Sequence, residues 1–131
     1  MQAGGVLLSR RLQGAHLAGM WEFPGGKVEA GESPRAGLQR ELQEELGIVV
    51  HVGDCIDVVH HVYEEAEREV ILIFFACTLQ VHSSPPRALQ VAEFVWVAPE
   101  QLGDYALPPA DAPVLDRVRD LLRASAHEAS T

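Results

Sequence analysis

The segment from Ser33 to Gly47 constrains this chain more than any other. Ser33 can cap the free amides of a helix start, and Pro34 sits where a missing N–H costs nothing. Gly47 is the expected left-handed stop. Between them Leu38, Leu42 and Leu46 recur every four residues, so the spacing predicts a helix from Pro34 to Leu46 with one buried stripe. The same helix carries Glu41, Glu44 and Glu45 at i, i+3 and i+4. Their side chains fall within an arc of roughly 100°, with Cβ atoms about 5–6 Å apart. That arc lies beside the leucine stripe, which puts the acids at the edge of a cleft. Two carboxylates at about 4 Å repel by about 4 kcal/mol at an effective dielectric near 20, so water or a cation must screen them. Hard divalent cations take oxygen ligands, and Mg²⁺ typically binds through a few carboxylates plus substrate phosphates. Arg40 adjoins the cluster and can hold one carboxylate by a charge-assisted pair. On a helix taken alone, such a triple is more often a solvated acidic face. Here Trp21-Glu22-Phe23-Pro24-Gly25-Gly26 precedes the helix, and paired glycines let a backbone approach a ligand or expose a carbonyl to a metal.

The rest of the chain reads as strands followed by a closing helix. Gly5 to Arg10 is a short strand, and residues 12 to 27 are a glycine-rich loop with extended pieces. Ile48 to Val52, Asp57 to Tyr63, Val70 to Gln80 and Phe94 to Val97 are apolar or β-branched runs that read as four strands. Ser83 to Pro86 is a loop, Pro99 to Leu102 suggests one helical turn, and Leu107 to Ala110 is an extended bend. A second helix is expected from about Asp111 to Arg123, with Val114, Leu115, Val118, Leu121 and Leu122 on its buried face. Ala124 to Thr131 is small and polar and is expected to fray. Trp96, Phe74 and Phe75 read as core, with one phenylalanine ring able to face a pocket. His60 and His61 fall on opposite faces of a strand, so they read as one core and one surface histidine. This order of elements suggests a mixed α/β or α+β sandwich in one domain over residues 1–131.

Composition excludes several functions. The chain has 10 Lys and Arg against 19 Asp and Glu, a formal net charge of −9, which repels the backbone of a nucleic-acid polymer. Cys55 and Cys77 are too few for a disulfide framework and read as two buried, reduced thiols in a cytoplasmic protein. The longest apolar run is too short to span a bilayer, and no secretory signal is visible.

Gly26, five residues, Glu32, seven residues and then Arg40-Glu41-Leu42-Gln43-Glu44-Glu45-Leu46-Gly47-Ile48 resembles the Nudix box at every fixed position. Arg10-Arg11, His16 and Trp21 to Lys27 resemble the segment before the box in MutT-type nucleoside triphosphate pyrophosphohydrolases. Pro108 to Val114 resembles the tail segment of that subgroup. The fold this implies is an α/β/α sandwich with a mixed sheet. The implied reaction is hydrolysis of a (deoxy)nucleoside triphosphate to monophosphate and pyrophosphate, with Mg²⁺ (or Mn²⁺) as cofactor and a small nucleotide as substrate, in a monomer or homodimer. Carried over position by position, Glu41, Glu44, Glu45 and the Gly26 carbonyl are metal ligands. Glu41 is a candidate base and Arg40 orients the glutamates. Glu32 has a structural or outer role, and Lys27 is placed to touch a phosphate. Arg11, His16, Glu22 and Asp111 fall to the nucleoside pocket.

Two departures from that resemblance matter. Gln90 stands about where MutT-type enzymes often place another loop glutamate, which leaves the base role to Glu41 or Glu93. Family members also begin with a strand before the one at residues 5 to 10. Either the chain is short or a sheet edge is missing, and an uncovered edge invites pairing with another chain. The leading substrate reading is 8-oxo-dGTP. The alternative is CTP or a modified dCTP, because the subgroup that reads oxidised guanine has Asn where Asp111 stands, and an ionised Asp only accepts hydrogen bonds. Asp111 is also read as a simple cap of the last helix. A nucleotide-sensing module without turnover is the alternative of another class. A recognition domain of a longer repair enzyme is a third, though such domains usually lack the full glutamate set.

Overall fold

The computed structural model describes residues 5–14, 18–63 and 68–130. In chain order it contains β1 (Val6–Arg10), β2 (Trp21–Glu22), α1 (Pro34–Leu46), β3 (Val50–Tyr63), β4 (Arg68–Leu79), β5 (Glu93–Val97), 3₁₀ turns at Pro99–Asp104 and Pro109–Val114, and α2 (Leu115–Ser130). α1 begins and ends as the sequence dictates. The Ser33 hydroxyl accepts from the Ala36 N–H at 3.1 Å, and Gly47 adopts φ 68°.

β1 carries the sandwich. Its side chains alternate between two apolar layers. Val6 and Leu8 pack with Val97, Leu102, Val114, Val118 and Leu122 on the α2 side. Leu7 packs with Leu42, Leu46, Ile48, Val50 and Val91 on the α1 side. Helices therefore cover both faces of the strand layer, as expected for an α/β/α sandwich. The strands divide into two sheets, β2-β1-β5 and β3-β4. Every pairing among the described residues is antiparallel, so the parallel component of the expected mixed sheet does not occur there.

Several elements differ from the sequence reading. The runs 48–52 and 57–63 form one long strand, β3. Gly53 and Asp54 do not break it, because register shifts between Val52, Cys55 and Asp57 absorb the extra residues as a bulge. A Cβ on Gly53 would stand 2.8 Å from the Ala76 carbonyl oxygen, so the close strand approach requires glycine there. The bend at 107–110 tightens into a 3₁₀ turn from Pro109, and α2 starts only at Leu115. The backbone of α2 is helical to Ser130, and nothing from Leu115 onward is Gly or Pro. Leu121 and Trp96, both expected in the core, are each 37% exposed. Cys55 is exposed rather than buried and Cys77 is half-buried, because Cys55 lies in the bulge. His60 is exposed and pairs with Glu69, whereas His61 is half-buried with its ring edge-on to Tyr63. The expectation of a strand before β1 concerns residues outside those described. No helix among the described residues is long and apolar enough to cross a membrane.

Candidate active site

One cleft of about 900 Å³ gathers most of the residues singled out above. Arg11, Glu22, Gly25, Gly26, Lys27, Glu45, Gln90 and Asp111 all line it. Three elements bring them together. β1 pairs with β2 through Ser9–Glu22 and Arg10–Trp21, which sets Arg11 against Glu22. Trp21 donates its N–H to the Ala106 carbonyl at 2.9 Å and meets the Tyr105 ring edge-on at 5.2 Å, which draws in the segment carrying Asp111. α1 supplies the glutamates. His16 lies outside the described residues.

Arg40, Glu41 and Glu44 do not line the cleft; Arg40 is instead the hub of a charge cluster next to the cleft-lining Lys27. Its Nε and Nη2 donate to the two oxygens of Glu32 at 3.0 and 2.8 Å, a fork-on-fork pair. Nη1 donates to Glu41 at 3.0 Å and to Glu44 at 3.1 Å, and Nη2 also reaches the Lys27 carbonyl at 3.0 Å. Glu29 stands 3.6 Å from Nη1. The Arg40 hydrogen bonds, together with the Glu29 N–H, hold Glu32 down to about pKa 2. Arg40 in turn is pushed above its ordinary value by the carboxylates around it.

Glu45 faces inward. Its Oε2 is buried with no hydrogen-bond partner. Burial first, and then the nearby Glu22 and Glu41 carboxylates, raise its pKa to about 8, opposed by a backbone hydrogen bond from Gly25. Gly26 is where the backbone comes closest to this cluster. A Cβ there would stand 2.5 Å from Glu41 Oε2, so only glycine lets the Glu41 carboxylate lie against the chain. The loop after β4 is stapled to the end of α1. The Leu89 and Gln90 N–H groups donate to the Glu45 carbonyl at 3.0 and 3.1 Å, and the Arg87 N–H donates to the Leu46 carbonyl at 2.8 Å. These bonds satisfy carbonyls that a helix end leaves open.

At the other end of the cleft Asp111 is 5% exposed. Burial, reinforced by Glu22 and opposed by Arg11, raises its pKa to about 7. Arg11 Nη2 pairs with Glu22 at 2.8 Å. Burial also raises Glu22, against the pull of Arg11. Asp111 sits inside the 3₁₀ turn, which has no side-chain cap bond, so that turn gives no support to the capping alternative.

Comparison with known proteins bears directly on this arrangement. A model of the NUDIX domain matches residues 1–117. The chain belongs to the NUDIX domain family. It is 43% identical over 118 residues to the CTP pyrophosphohydrolase of Escherichia coli, covering 86% of this chain and 81% of that one. It is 36% identical to the 8-oxo-dGTP diphosphatase of Haemophilus influenzae, covering 88% and 82%. The crystal structure of a MutT protein from Methanosarcina mazei superimposes with a TM-score of 0.76 at 34% identity, covering 89% and 84%.

The Nudix box thus folds around Arg40. Nudix hydrolases generally use divalent metal ions. The residues here fit such an ion: Glu45 presents a buried oxygen with no partner, and Glu41 packs where Gly26 leaves room. The carboxylates are not gathered in advance, because Glu41 and Glu44 turn to Arg40. Among the described residues no three acidic, histidine or cysteine side chains already form a metal-holding group. Gln90, which stands in the place of the loop acid, lines the cleft, whereas Glu93, one of the two candidates for the base role, is exposed and pairs with Arg10 at 3.4 Å. The Lys27 side chain is exposed, and its carbonyl accepts from Arg40. The sequence reading allowed one phenylalanine ring into a pocket, and both Phe74 and Phe75 line the cleft; it missed the rest of the apolar lining. Phe23 meets Phe74 edge-on with ring centroids 6.0 Å apart, and Ile56 lies on the same wall. No local pattern joins residues that far apart in the chain. Phe75 carries the Arg35 guanidinium 4.8 Å above its ring.

Proposed function

We propose that the protein is a Mg²⁺-dependent, MutT-type nucleoside triphosphate pyrophosphohydrolase that hydrolyses 8-oxo-dGTP to the monophosphate and pyrophosphate. The observation that carries this reading is the pairing, in one cleft, of an inward carboxylate whose Oε2 is buried without a partner (Glu45) and a second buried acid (Asp111) beside Arg11 and Glu22. The first suits a phosphate chain bridged by cations and the second suits a nucleobase.

Glu41, Glu44, Glu45 and the Gly26 carbonyl would hold the metal. When bound, Mg²⁺ supplies charge neutralisation on the phosphates and a lowered pKa for the attacking water. Arg40, anchored on Glu32 and the Lys27 carbonyl, holds the Glu41 and Glu44 carboxylates and limits the directions they can take. Glu41 is the base, since Gln90 cannot take a proton and Glu93 is engaged on the surface. Lys27 meets the outer phosphate. Arg11, Glu22 and Asp111 receive the base, with His16 assigned to the same pocket by resemblance. A carboxyl with pKa near 7 is partly protonated at neutral pH and then both donates and accepts, as an amide does. That property lets Asp111 serve a base with adjoining donor and acceptor groups, such as oxidised guanine.

A second reading, CTP or a modified dCTP, is favoured by the acid at Asp111 itself, which can accept from an exocyclic amine when ionised. The similarity to a CTP pyrophosphohydrolase also supports it. In either case residues 1–131 act as one cytoplasmic domain on free nucleotides. Pyrophosphate release from a panel containing 8-oxo-dGTP, dGTP, CTP and 5-methyl-dCTP tests the choice. We expect 8-oxo-dGTP to give the highest kcat/KM, and a higher value for a cytosine nucleotide would overturn the leading reading in favour of the second.

A further inference from the structure

Both ends of the proposed site are tied to one irregular stretch of β3. Between Val52 and Asp57 that strand slips twice against β4. In a regular strand successive carbonyls point to opposite edges, so one donor cannot reach two in a row. The bulge removes that alternation. Arg35, in the first turn of α1, donates from Nη1 to the Val52 carbonyl at 3.1 Å and to the Gly53 carbonyl at 2.5 Å. One turn further along α1, Gln39 donates to the Val50 carbonyl at 3.3 Å. The opposite helix meets the far end of the same stretch. Arg117, in the first turn of α2, donates from Nη1 to the Ile56 carbonyl at 2.9 Å and stands 3.7 Å from Asp57 Oδ1.

The two helices carry the two ends of the site. Past Arg35, α1 presents Glu41, Glu44 and Glu45; before Arg117, the 3₁₀ turn that feeds α2 holds Asp111. The helices pack on opposite faces of the strand layer, so what they share is the strand between them. A nucleotide has a fixed covalent length from base to phosphates, and a site must hold its contacts to within about 0.5 Å. We propose that the β3 bulge is the spacer that sets the metal-binding glutamates against the base-reading turn, with Arg35 and Arg117 as its positioning residues. Arg35 fixes the pose of α1, and Arg117 fixes the pose of the turn with Asp111. This inference rests on the proposed reading of Glu41, Glu44 and Glu45 as the metal end and of Asp111 as the base end. Both arginines are exposed, Arg117 at 61%, and exposed pairs of this kind add little stability. Their effect is on direction: each bond stops a helix from sliding along the bulge.

The test uses the full chain with Arg35→Gln, Arg117→Gln and the corresponding lysine variants. Titration calorimetry reads two quantities: the Kd for Mn²⁺ alone, and the ratio of Kd values for 8-oxo-dGMP and CMP in EDTA. We expect Arg35→Gln to weaken Mn²⁺ binding by about tenfold and to leave the nucleotide ratio within about twofold. Arg117→Gln is expected to change the nucleotide ratio by about fivefold and to leave Mn²⁺ binding within about twofold. Lysine keeps one donor, so each lysine variant should recover part of its own effect and none of the other. Tm should fall by a few degrees at most in all four. A merely structural role does not produce this crossed pattern. Variants that match the parent in both quantities overturn the proposal, whatever their Tm. So do two glutamine variants that shift both quantities alike. None of these readouts requires turnover, so a parent that binds but does not hydrolyse would overturn the proposed activity and leave this inference standing.

Discussion

Replacing Glu45 by Gln removes a buried carboxylate while keeping its shape, and the consequences differ with pH. The Glu45 carboxyl has a pKa of about 8 in the fold against an ordinary 4.5, chiefly through burial. A raised acid stabilises the fold fully below its unfolded value, and that contribution disappears as pH rises through the folded value. Between pH 4.5 and 8 the folded chain holds a proton that the unfolded chain has released. At about 1.4 kcal/mol per pKa unit, the full shift from 4.5 to about 8 is worth roughly 5 kcal/mol. Glu45 is half-buried, so solvent screening reduces this and about 2 kcal/mol is the working figure. In EDTA, E45Q is therefore expected to match the parent within about 0.5 kcal/mol near pH 4.5 and to exceed it by about 2 kcal/mol near pH 8. Urea unfolding at both pH values, with equal m-values, measures the difference. Mg²⁺ should stabilise the parent near pH 8 and leave E45Q almost unchanged. A variant equally destabilised at both pH values would refute the reasoning, since Glu45 would then be an ordinary hydrogen-bonded side chain.

Other substitutions probe the rest of the site. Gly26→Ala places a methyl against the Glu41 carboxylate. It should lower kcat by about 100-fold or more, read as pyrophosphate release, with Tm changed by a few degrees at most. Arg40→Lys keeps one charge but loses the bidentate grip on Glu32. We expect about a tenfold loss in kcat/KM that extra Mg²⁺ partly restores, measured across a Mg²⁺ titration. Asp111→Asn removes a group that titrates at about 7. It should alter the ranking of 8-oxo-dGTP against CTP more than the maximal rate, and it should flatten the pH dependence of KM between about pH 6 and 8. An unchanged ranking would make Asp111 structural.

Sequence patterns revealed what is local and hid what is assembled across the chain. The ends of α1 were legible because Ser33, Pro34 and Gly47 each have one dominant conformational use. Its acidic arc was legible because helical spacing is fixed. The single strand β3 was not, since Gly53 and Asp54 look like a turn until the close pass of Ala76 is known. Trp96 was misplaced because alternation gives two faces and does not say which one a helix covers. The late start of α2 reflects Pro109 and Pro113, which favour a tighter first turn than periodicity alone suggests. In the site, the box supplied the identities of Glu41, Glu44 and Glu45. The convergence of Glu32, Glu29 and the Lys27 carbonyl on Arg40 depends on a loop path that no spacing encodes. The same holds for the apolar wall of Phe23, Ile56 and Phe74.

Phosphorus NMR of the products addresses the core of this account. With 8-oxo-dGTP and Mg²⁺, the nucleoside monophosphate and inorganic pyrophosphate resonances should grow in equal amounts and stop on addition of EDTA. Release of orthophosphate with a nucleoside diphosphate would contradict it, as would turnover indifferent to chelation.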